Sequence, residues 1–158
     1  MIFVTLGTQD KPFDRLVCKI QELIDKKKIK GKVIVQAGCT KFESQDMEIF
    51  DLIPMEEFDE LMDKCDLLIT HGGVGSIISG LKKCKKVIAV PRLAEYGEHV
   101  NNHQEQIVDN FNKAGYIIGV KNLDELEDAL KKVKKFKPNK YVSNTKKMIE
   151  LVKREIDS

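Results

Sequence analysis

Six short runs of apolar residues recur along this chain, and the spaces between them are long enough to hold helices. A short, continuous apolar run is typical of a strand that is covered on both faces of its sheet. The sequence therefore predicts six strands, which cover residues 2–6, 32–36, 49–53, 67–70, 86–90 and 116–120.

In several of the segments between these runs, apolar residues recur at the spacing of a helix. Apolar side chains of residues 16–24 fall on one helical stripe, and residues 123–133 repeat the pattern behind a capping box of Asn122 and Glu125. A third stripe, in residues 141–156, consists of Met148, Ile149, Val152 and Ile156. Strands that alternate with helices form parallel sheets with right-handed crossovers. We therefore predict one α/β domain over residues 1–158, a Rossmann-like parallel sheet with helices on both faces.

Composition excludes several classes of protein. Of the 158 residues, 42% are hydrophobic and 33% are charged, which is typical of a globular chain and not of a disordered one. No apolar run approaches the roughly 20 residues that a membrane span needs. The apolar N-terminus MIFVTLGTQ lacks a basic leader and a cleavage site, so it is interpreted as a strand. The four cysteines form no CxxC pair, which indicates a reduced, cytoplasmic protein.

The net charge of +2 is too small to indicate a nucleic-acid partner. Lysines nevertheless cluster in residues 26–28 and 131–137. We interpret these clusters as solvated helix ends, with attraction to an anionic membrane surface as the alternative.

A glycine-rich stretch, LITHGGVGSIISG, follows the fourth predicted strand. In a parallel sheet, ligands bind outside the carboxyl ends of the strands, where such loops lead into helices. Gly72, Gly73 and Gly75 let the backbone approach a ligand, and the N-terminus of a helix beginning near Gly75 or Ser76 favours an anion, so a phosphate is expected. The alternative is a structural turn whose glycines permit positive φ. The spacing matches neither a Walker loop nor the dinucleotide fingerprint.

Two further loops lie at the same predicted edge. PRLAEYGEHVNNHQEQ follows the fifth strand, and its many amide and charged groups suit a polyhydroxyl ligand such as a sugar. It contains His99 and His103, four residues apart, but no third zinc ligand of suitable spacing. The alternative is a polar surface helix with an ordinary cap. LGTQDKPFDRL follows the first strand and brings Gly7 and Thr8 to this edge.

Three stretches, FVTLGTQDKPFDRL, CDLLITHGGVGSI and VPRLAEYGEHVNNHQ, together resemble the glycosyltransferase family 28 C-terminal domain. The chain is most similar to the stand-alone bacterial PssE-like form. That form is similar to the donor-binding subunit of the two-part eukaryotic enzyme that adds the second N-acetylglucosamine to dolichol. The resemblance covers nearly the whole chain and is weakest after about residue 120. It implies the fold of the C-terminal half of a GT-B glycosyltransferase, which binds a UDP-sugar.

The resemblance also implies a role for residues of all three loops. It assigns the UDP diphosphate to Gly7, Thr8, His71, Gly72, Gly73, Val74, Gly75 and Ser76. It places the uracil or ribose near Ile53, Met55 and Ser79, and the sugar near Glu98, His103 and Gln104. Many relatives, MurG included, hold the ribose hydroxyls with a glutamate where this chain has Ser79. Ribose recognition is then left to Glu98 or to a hydroxyl.

The activity implied by the resemblance is inverting transfer of a sugar from UDP to a lipid-linked acceptor in exopolysaccharide or capsule synthesis. We expect no cofactor and no metal, because no acidic cluster has the pattern of a divalent-metal site, and we expect no nucleic-acid partner. Asp14, His71 and Glu98 are candidates for the general base, which we expect on a partner or at the joint cleft. That partner is a membrane-anchored acceptor-binding subunit, MurG-N-terminal-like or PssD-like. It would hold this cytoplasmic chain at the inner face of the plasma membrane.

Two other functions compete with this expectation. The chain could be a non-catalytic, nucleotide-binding enhancer or regulatory subunit of a glycosyltransferase partner, which would keep the same cleft. A nucleotide-sugar epimerase or dehydrogenase is disfavoured, because GxGxxG and a Tyr-x-x-x-Lys pair are both absent from the sequence.

Overall fold

The computed structural model describes residues 1–7, 11–99 and 102–139 of the chain. In these residues there are six strands and five α-helices, and an α-helix follows every strand except the second. The strands are β1 (Ile2–Thr5), β2 (Val33–Gln36), β3 (Glu48–Phe50), β4 (Leu67–His71), β5 (Lys86–Val90) and β6 (Ile118–Gly119). The helices are α1 (Asp14–Asp25), α2 (Met55–Lys64), α3 (Val74–Lys82), α4 (His103–Lys113) and α5 (Leu126–Val133).

All six strands belong to one parallel sheet with the order β3-β2-β1-β4-β5-β6. This is the doubly wound order, in which the chain moves outward from β1 in one direction and then from β4 in the other. The predicted Rossmann-like sheet is confirmed. The two edge strands are shorter than predicted, since β3 has three residues and β6 has two.

Each face of the sheet is covered by helices, as the sequence predicts. Alternate strand residues point to opposite faces, so Val4 and Ile69 belong to one apolar cluster, with α1 and α5. Phe3 and Leu68 belong to the other, with α2, α3 and α4. Burial on both faces explains why the four central strands, β2, β1, β4 and β5, are mostly apolar.

The helices follow their sequence signals to different degrees. Helix α1 buries the stripe predicted for residues 16–24. The capping box is only half present, because the Asn122 side chain accepts a 3.0 Å hydrogen bond from the N–H of Asp124, not of Glu125. Helix α2 was not predicted, and it buries only Met62 among its residues. The predicted stripe in residues 141–156 lies outside the described residues.

Candidate functional site

A cleft of about 640 Å³ opens at the carboxyl edge of the sheet. It adjoins the switch point between β1 and β4, where the crevice of a doubly wound sheet is expected. Its walls come from the loops after β1 and β4, from the end of β2, and from the starts of α2 and α3. The lining residues are Gly7, Gln36, Leu52, Ile53, Met55, Phe58, His71, Gly73, Val74, Gly75, Ser76 and Ser79.

Two glycines enclose the ring of His71 at the switch point. A Cβ atom added to Gly73 would lie 2.1 Å from His71 Cε1, and one added to Gly7 would lie 2.8 Å from His71 Nε2. Gly73 has φ −76° and ψ 131°, which any residue can adopt. Gly7, by contrast, has φ 85°. Gly73 is therefore required for space, and the alternative that the glycines of the β4–α3 loop provide positive φ is wrong.

His71 is neutral in this environment. Only 7% of the residue is exposed, and its pKa is lowered to about 3, chiefly by burial and next by the positive charge of Arg92. Its Nδ1 accepts a 3.1 Å hydrogen bond from the N–H of Gly73. In a neutral imidazole with Nδ1 as acceptor, the proton is assigned to Nε2. His71 is therefore a hydrogen-bond donor at Nε2, and the general-base role considered for it is not supported.

The N-terminus of α3 opens into the cleft beside His71. The helix begins at Val74, one or two residues earlier than expected, and its N-cap residue, Gly73, has no side chain to cap it. The first N–H groups of a helix have no acceptor inside the helix and carry the positive end of its dipole. A Cβ added to Gly75 would meet nothing within 4 Å. This end of α3 is thus open to the cleft, in a geometry that favours an anion.

Gln104 connects the β4–α3 loop to the β5–α4 connection behind the N-terminus of α3. Its Oε1 accepts hydrogen bonds from the backbone N–H groups of Gly72 and Arg92, at 3.1 and 3.0 Å. Its Nε2 lies 3.3 Å from Nδ1 of His71. Gln104 is fully buried. In the free chain it therefore positions the β4–α3 loop and His71, and the predicted contact with a donor sugar stays a prediction.

A buried charge network ties the β5–α4 connection to the chain around β1 and α1. Arg92 donates to the carbonyl oxygens of Leu6, Lys11 and Glu98, and only 1% of it is exposed. The Glu98 carboxylate accepts hydrogen bonds of 3.2 and 3.1 Å from Arg15. It also accepts one from the N–H of Leu93. Glu98 is thus occupied in the free chain, which disfavours it as a general base.

The far end of the cleft is apolar. Leu52 and Met55 are 63% and 71% exposed, which is unusual for such side chains, and Ile53 and Phe58 lie beside them. Ser79 also lines the cleft, and its hydroxyl donates a 2.9 Å hydrogen bond to the carbonyl oxygen of Gly75. The structure thus brings Ile53, Met55 and Ser79 to one cleft, as the sequence predicts. Their contact with uracil or ribose is a proposal.

Five predicted residues that the structure describes are not part of this lining, namely Asp14, Gly72, Glu98, His103 and Gln104. Asp14 is exposed as the first residue of α1, so the structure does not bring this base candidate to the cleft. His103 is the first residue of α4 and is partly buried. Thr8 lies outside the described residues. In residues 1–7, 11–99 and 102–139 no three His, Cys, Asp or Glu side chains form a group that could hold a metal ion.

A second cleft, of about 530 Å³, lies at the opposite edge of the sheet. It is lined by Lys27, Lys28, Lys30, Lys86, Lys131 and Lys134 together with Asp66, Glu127 and apolar residues. Several of these lysines follow the C-terminus of α1 or lie in the last turn of α5. Lysines at helix C-termini complement the helix dipole, so the cluster has a structural explanation.

Sequence reasoning alone does not identify two of the residues near the cleft. Arg92 follows Pro91 directly after a buried strand, and Gln36 is the single polar residue at the carboxyl end of another apolar run. A polar residue at the carboxyl end of a buried parallel strand lies where ligands bind. That position is the signal that points to both.

The sequence model of one protein family, the glycosyltransferase family 28 C-terminal domain, matches residues 1–157 of this chain. The chain belongs to this family. It is also 30% identical over 95 residues to the UDP-N-acetylglucosamine transferase subunit ALG13 of Candida glabrata, a match that covers 59% of this chain and 46% of that protein. The human ALG13 subunit is 30% identical over 125 residues, covering 73% of this chain and 10% of the human protein. The chain thus spans less than half the length of these relatives.

Solved structures show the same fold. The solution structure of ALG13 superposes with a TM-score of 0.64 at 24% identity, over 99% of this chain and 96% of that one. The crystal structure of the glycotransferase of kitacinnamycin gives the same TM-score at 16% identity, over 99% of this chain and 38% of that one. This chain therefore has the fold of the C-terminal half of GT-B glycosyltransferases. No helix in the described part of the chain has the length and apolar character to cross a membrane.

Proposed function

We propose that this chain is the donor-binding subunit of an inverting glycosyltransferase that uses a UDP-sugar. The main support is the cleft at the switch point. The uncapped N-terminus of α3 lines one end of this cleft, and apolar side chains line the other. The helix N-terminus suits a diphosphate, and the apolar wall suits a nucleobase. The volume of about 640 Å³ is in the range of small-molecule sites.

The chemistry proposed for this cleft needs little from the protein except orientation and charge stabilisation. The acceptor hydroxyl oxygen attacks the anomeric carbon on the face opposite to UDP, and the bond from that carbon to the diphosphate oxygen breaks. The electron pair of this bond leaves with UDP, and the hydroxyl proton passes to a general base. The N–H groups of α3 face the growing negative charge on UDP and stabilise it.

The general base is proposed to lie on a second chain. Among the candidates in this chain, Asp14 lies outside the cleft, Glu98 is bonded to Arg15, and His71 carries its proton on Nε2. We propose a membrane-anchored, acceptor-binding subunit, MurG-N-terminal-like or PssD-like, which presents a lipid-linked acceptor. The chain would then work at the cytoplasmic face of the plasma membrane, in exopolysaccharide or capsule synthesis. The names of the relatives, which are transferase subunits, support a partner.

Calorimetry with UDP, UDP-glucose, UDP-galactose, UDP-N-acetylglucosamine and ADP tests the donor site. We expect UDP and at least one UDP-sugar to bind, and ADP to bind much more weakly. Transfer to a lipid acceptor should then require the proposed acceptor-binding subunit. Absence of UDP binding would refute the donor site, and full transfer by this chain alone would refute the need for a partner.

The second candidate function is a non-catalytic, nucleotide-binding enhancer of a glycosyltransferase. It is favoured by one observation, that none of the three candidate bases is free in the cleft. Gly75→Asp separates the two functions, because a Cβ atom at this position meets no protein atom within 4 Å and the carboxylate places a negative charge at the proposed phosphate site. Loss of transfer by the mixed chains supports the donor site, whereas full transfer with UDP binding abolished supports the enhancer. Gly75→Asn, which adds similar bulk without the charge, is the matched control.

A further inference from the structure

Gln36 is a buried polar residue that the proposed chemistry does not use. It ends β2 at the carboxyl edge of the sheet and is only 7% exposed. Alternation along the strand puts its side chain on the face of Ile34, which is the face covered by α2, α3 and α4. It lines the cleft between the starts of α2 and α3.

The side-chain amide of Gln36 has no hydrogen-bond partner among the described residues. Gln104 is also buried, yet its amide bonds to Gly72, Arg92 and His71. Neither amide atom of Gln36 belongs to the buried, unpartnered polar atoms of the described residues, so the amide is accessible from the cleft although most of the residue is buried. An amide that faces a ligand cleft and bonds to no described residue has its donors and its acceptor available to a ligand.

The strand order fixes where along the ligand this amide would act. Strands β3, β2, β1 and β4 lie side by side, so Gln36 lies between the chain after β3, with Leu52 and Ile53, and the chain after β1, with Gly7. The first pair belongs to the apolar end of the cleft, and Gly7 adjoins His71 at the anion end. Gln36 therefore lies between the nucleobase region and the diphosphate region.

We propose that Gln36 hydrogen-bonds the nucleoside half of the bound nucleotide, and this inference rests on the proposed donor site. A glutamine amide offers one acceptor and two donors without charge. It therefore matches a ribose hydroxyl or the imide edge of a pyrimidine better than a phosphate. Gln36 takes up a share of the nucleoside recognition that the Ser79 position, without a carboxylate, does not provide.

Gln36→Met tests the proposal, because methionine keeps the length of the side chain and removes its hydrogen bonds. We expect the Tm of the free chain to change little, since the amide makes no hydrogen bond to the described residues. We expect the Kd of UDP to rise about tenfold or more. The Kd of inorganic pyrophosphate should not change. Gln106→Met, an exposed glutamine on α4, is the control and should change none of these values.

Nucleotide analogues identify the group that Gln36 contacts. If it is a ribose hydroxyl, 2′-deoxy-UDP or 3′-deoxy-UDP binds the wild type and Gln36→Met equally. If Gln36 contacts the imide edge of the base, N3-methyl-UDP binds the wild type and Gln36→Met with equal affinity. An unchanged Kd for UDP, or an equal loss for UDP and pyrophosphate, would overturn the proposal while the donor site stands. A wild-type chain that binds no UDP would instead refute the donor site itself.

Discussion

Two glycines of the β4–α3 loop, Gly73 and Gly75, should respond in opposite directions to the same substitution. Gly73 has φ −76° and ψ 131°, so alanine has no conformational penalty there. The added Cβ would lie 2.1 Å from Cε1 of His71, closer than non-bonded atoms can approach. The ring cannot withdraw easily, because Gly7 adjoins its Nε2 and its Nδ1 is bonded to Gly73.

The cost of Gly73→Ala follows from these contacts. Overpacking a buried site costs about 1 to 3 kcal/mol, and displacement of the ring also sacrifices a hydrogen bond of about 1 kcal/mol. We expect a loss of about 2 to 4 kcal/mol in the free energy of unfolding. For a chain of this size the Tm should then fall by about 4 to 16 °C.

Gly75→Ala is the matched substitution two residues further on. Gly75 lies in the first turn of α3, and a Cβ there meets nothing within 4 Å. Alanine is favoured over glycine in a helix by about 0.5 to 1 kcal/mol, so this variant should be slightly more stable than the wild type. The methyl group points into the cleft beside the proposed phosphate site, so the affinity for UDP should fall.

Urea denaturation followed by circular dichroism, together with calorimetry of UDP binding, measures both effects. The reasoning is refuted if Gly73→Ala is as stable as the wild type, because the His71 ring is then not enclosed as described. It is also refuted if Gly75→Ala binds UDP with unchanged affinity, because the N-terminus of α3 is then not the anion site.

Three further predictions concern the charges and the metal requirement. UDP should bind equally well in EDTA and in magnesium, because backbone N–H groups are proposed to meet the phosphates, and calorimetry showing affinity lost in EDTA would contradict this. The unfolded chain protonates His71 near pH 6.5 but the folded chain only near pH 3, so stability should fall by about 3 kcal/mol from pH 6.5 to pH 4. His71→Asn keeps an acceptor for the Gly73 N–H and should remove this loss of stability at low pH, as measured by urea denaturation at several pH values. If the stability of the variant still falls as steeply with pH, other groups cause the loss. Arg15→Met should cost about 1 to 3 kcal/mol because it removes the ion-pair partner of the buried Glu98 carboxylate, which keeps only the Leu93 N–H and the nearby charge of Arg92, and thermal melts should show that adding Glu98→Gln restores part of the loss.

The fold could be predicted largely from the apolar runs. A strand that is covered on both faces of its sheet has a mostly apolar sequence, so each apolar run marked the place of a strand. The edge strands β3 and β6 were overestimated, since apolar residues beside them are buried without joining the ladder, as Ile117 and Val120 show. Helix α2 escaped prediction because one buried residue leaves almost no apolar stripe.

The site could be predicted only as a set of loops. Parallel topology brings the carboxyl ends of the strands to one edge, so the glycine loop and the end of β1 had to lie near each other. Sequence does not show which polar side chains bond to the protein's own backbone. Glu98 and Gln104 were assigned to the ligand, yet in the free chain both bond to backbone N–H groups. Gln36 was overlooked because it ends an apolar run.

The distribution of charge around the cleft is consistent with the proposal that it binds the donor and stabilises the leaving UDP but does not supply the general base. The polar side chains that line it are neutral, namely Gln36, His71, Ser76 and Ser79, and the charged groups Arg92 and Glu98 are buried behind its loops. Stabilisation of a departing diphosphate would come from the fixed dipole of α3 and from the Nε2–H of His71, which need no proton transfer. The same neutrality leaves no free base for the acceptor hydroxyl in the described lining. This distribution supports the proposal that the acceptor and its base come from another chain.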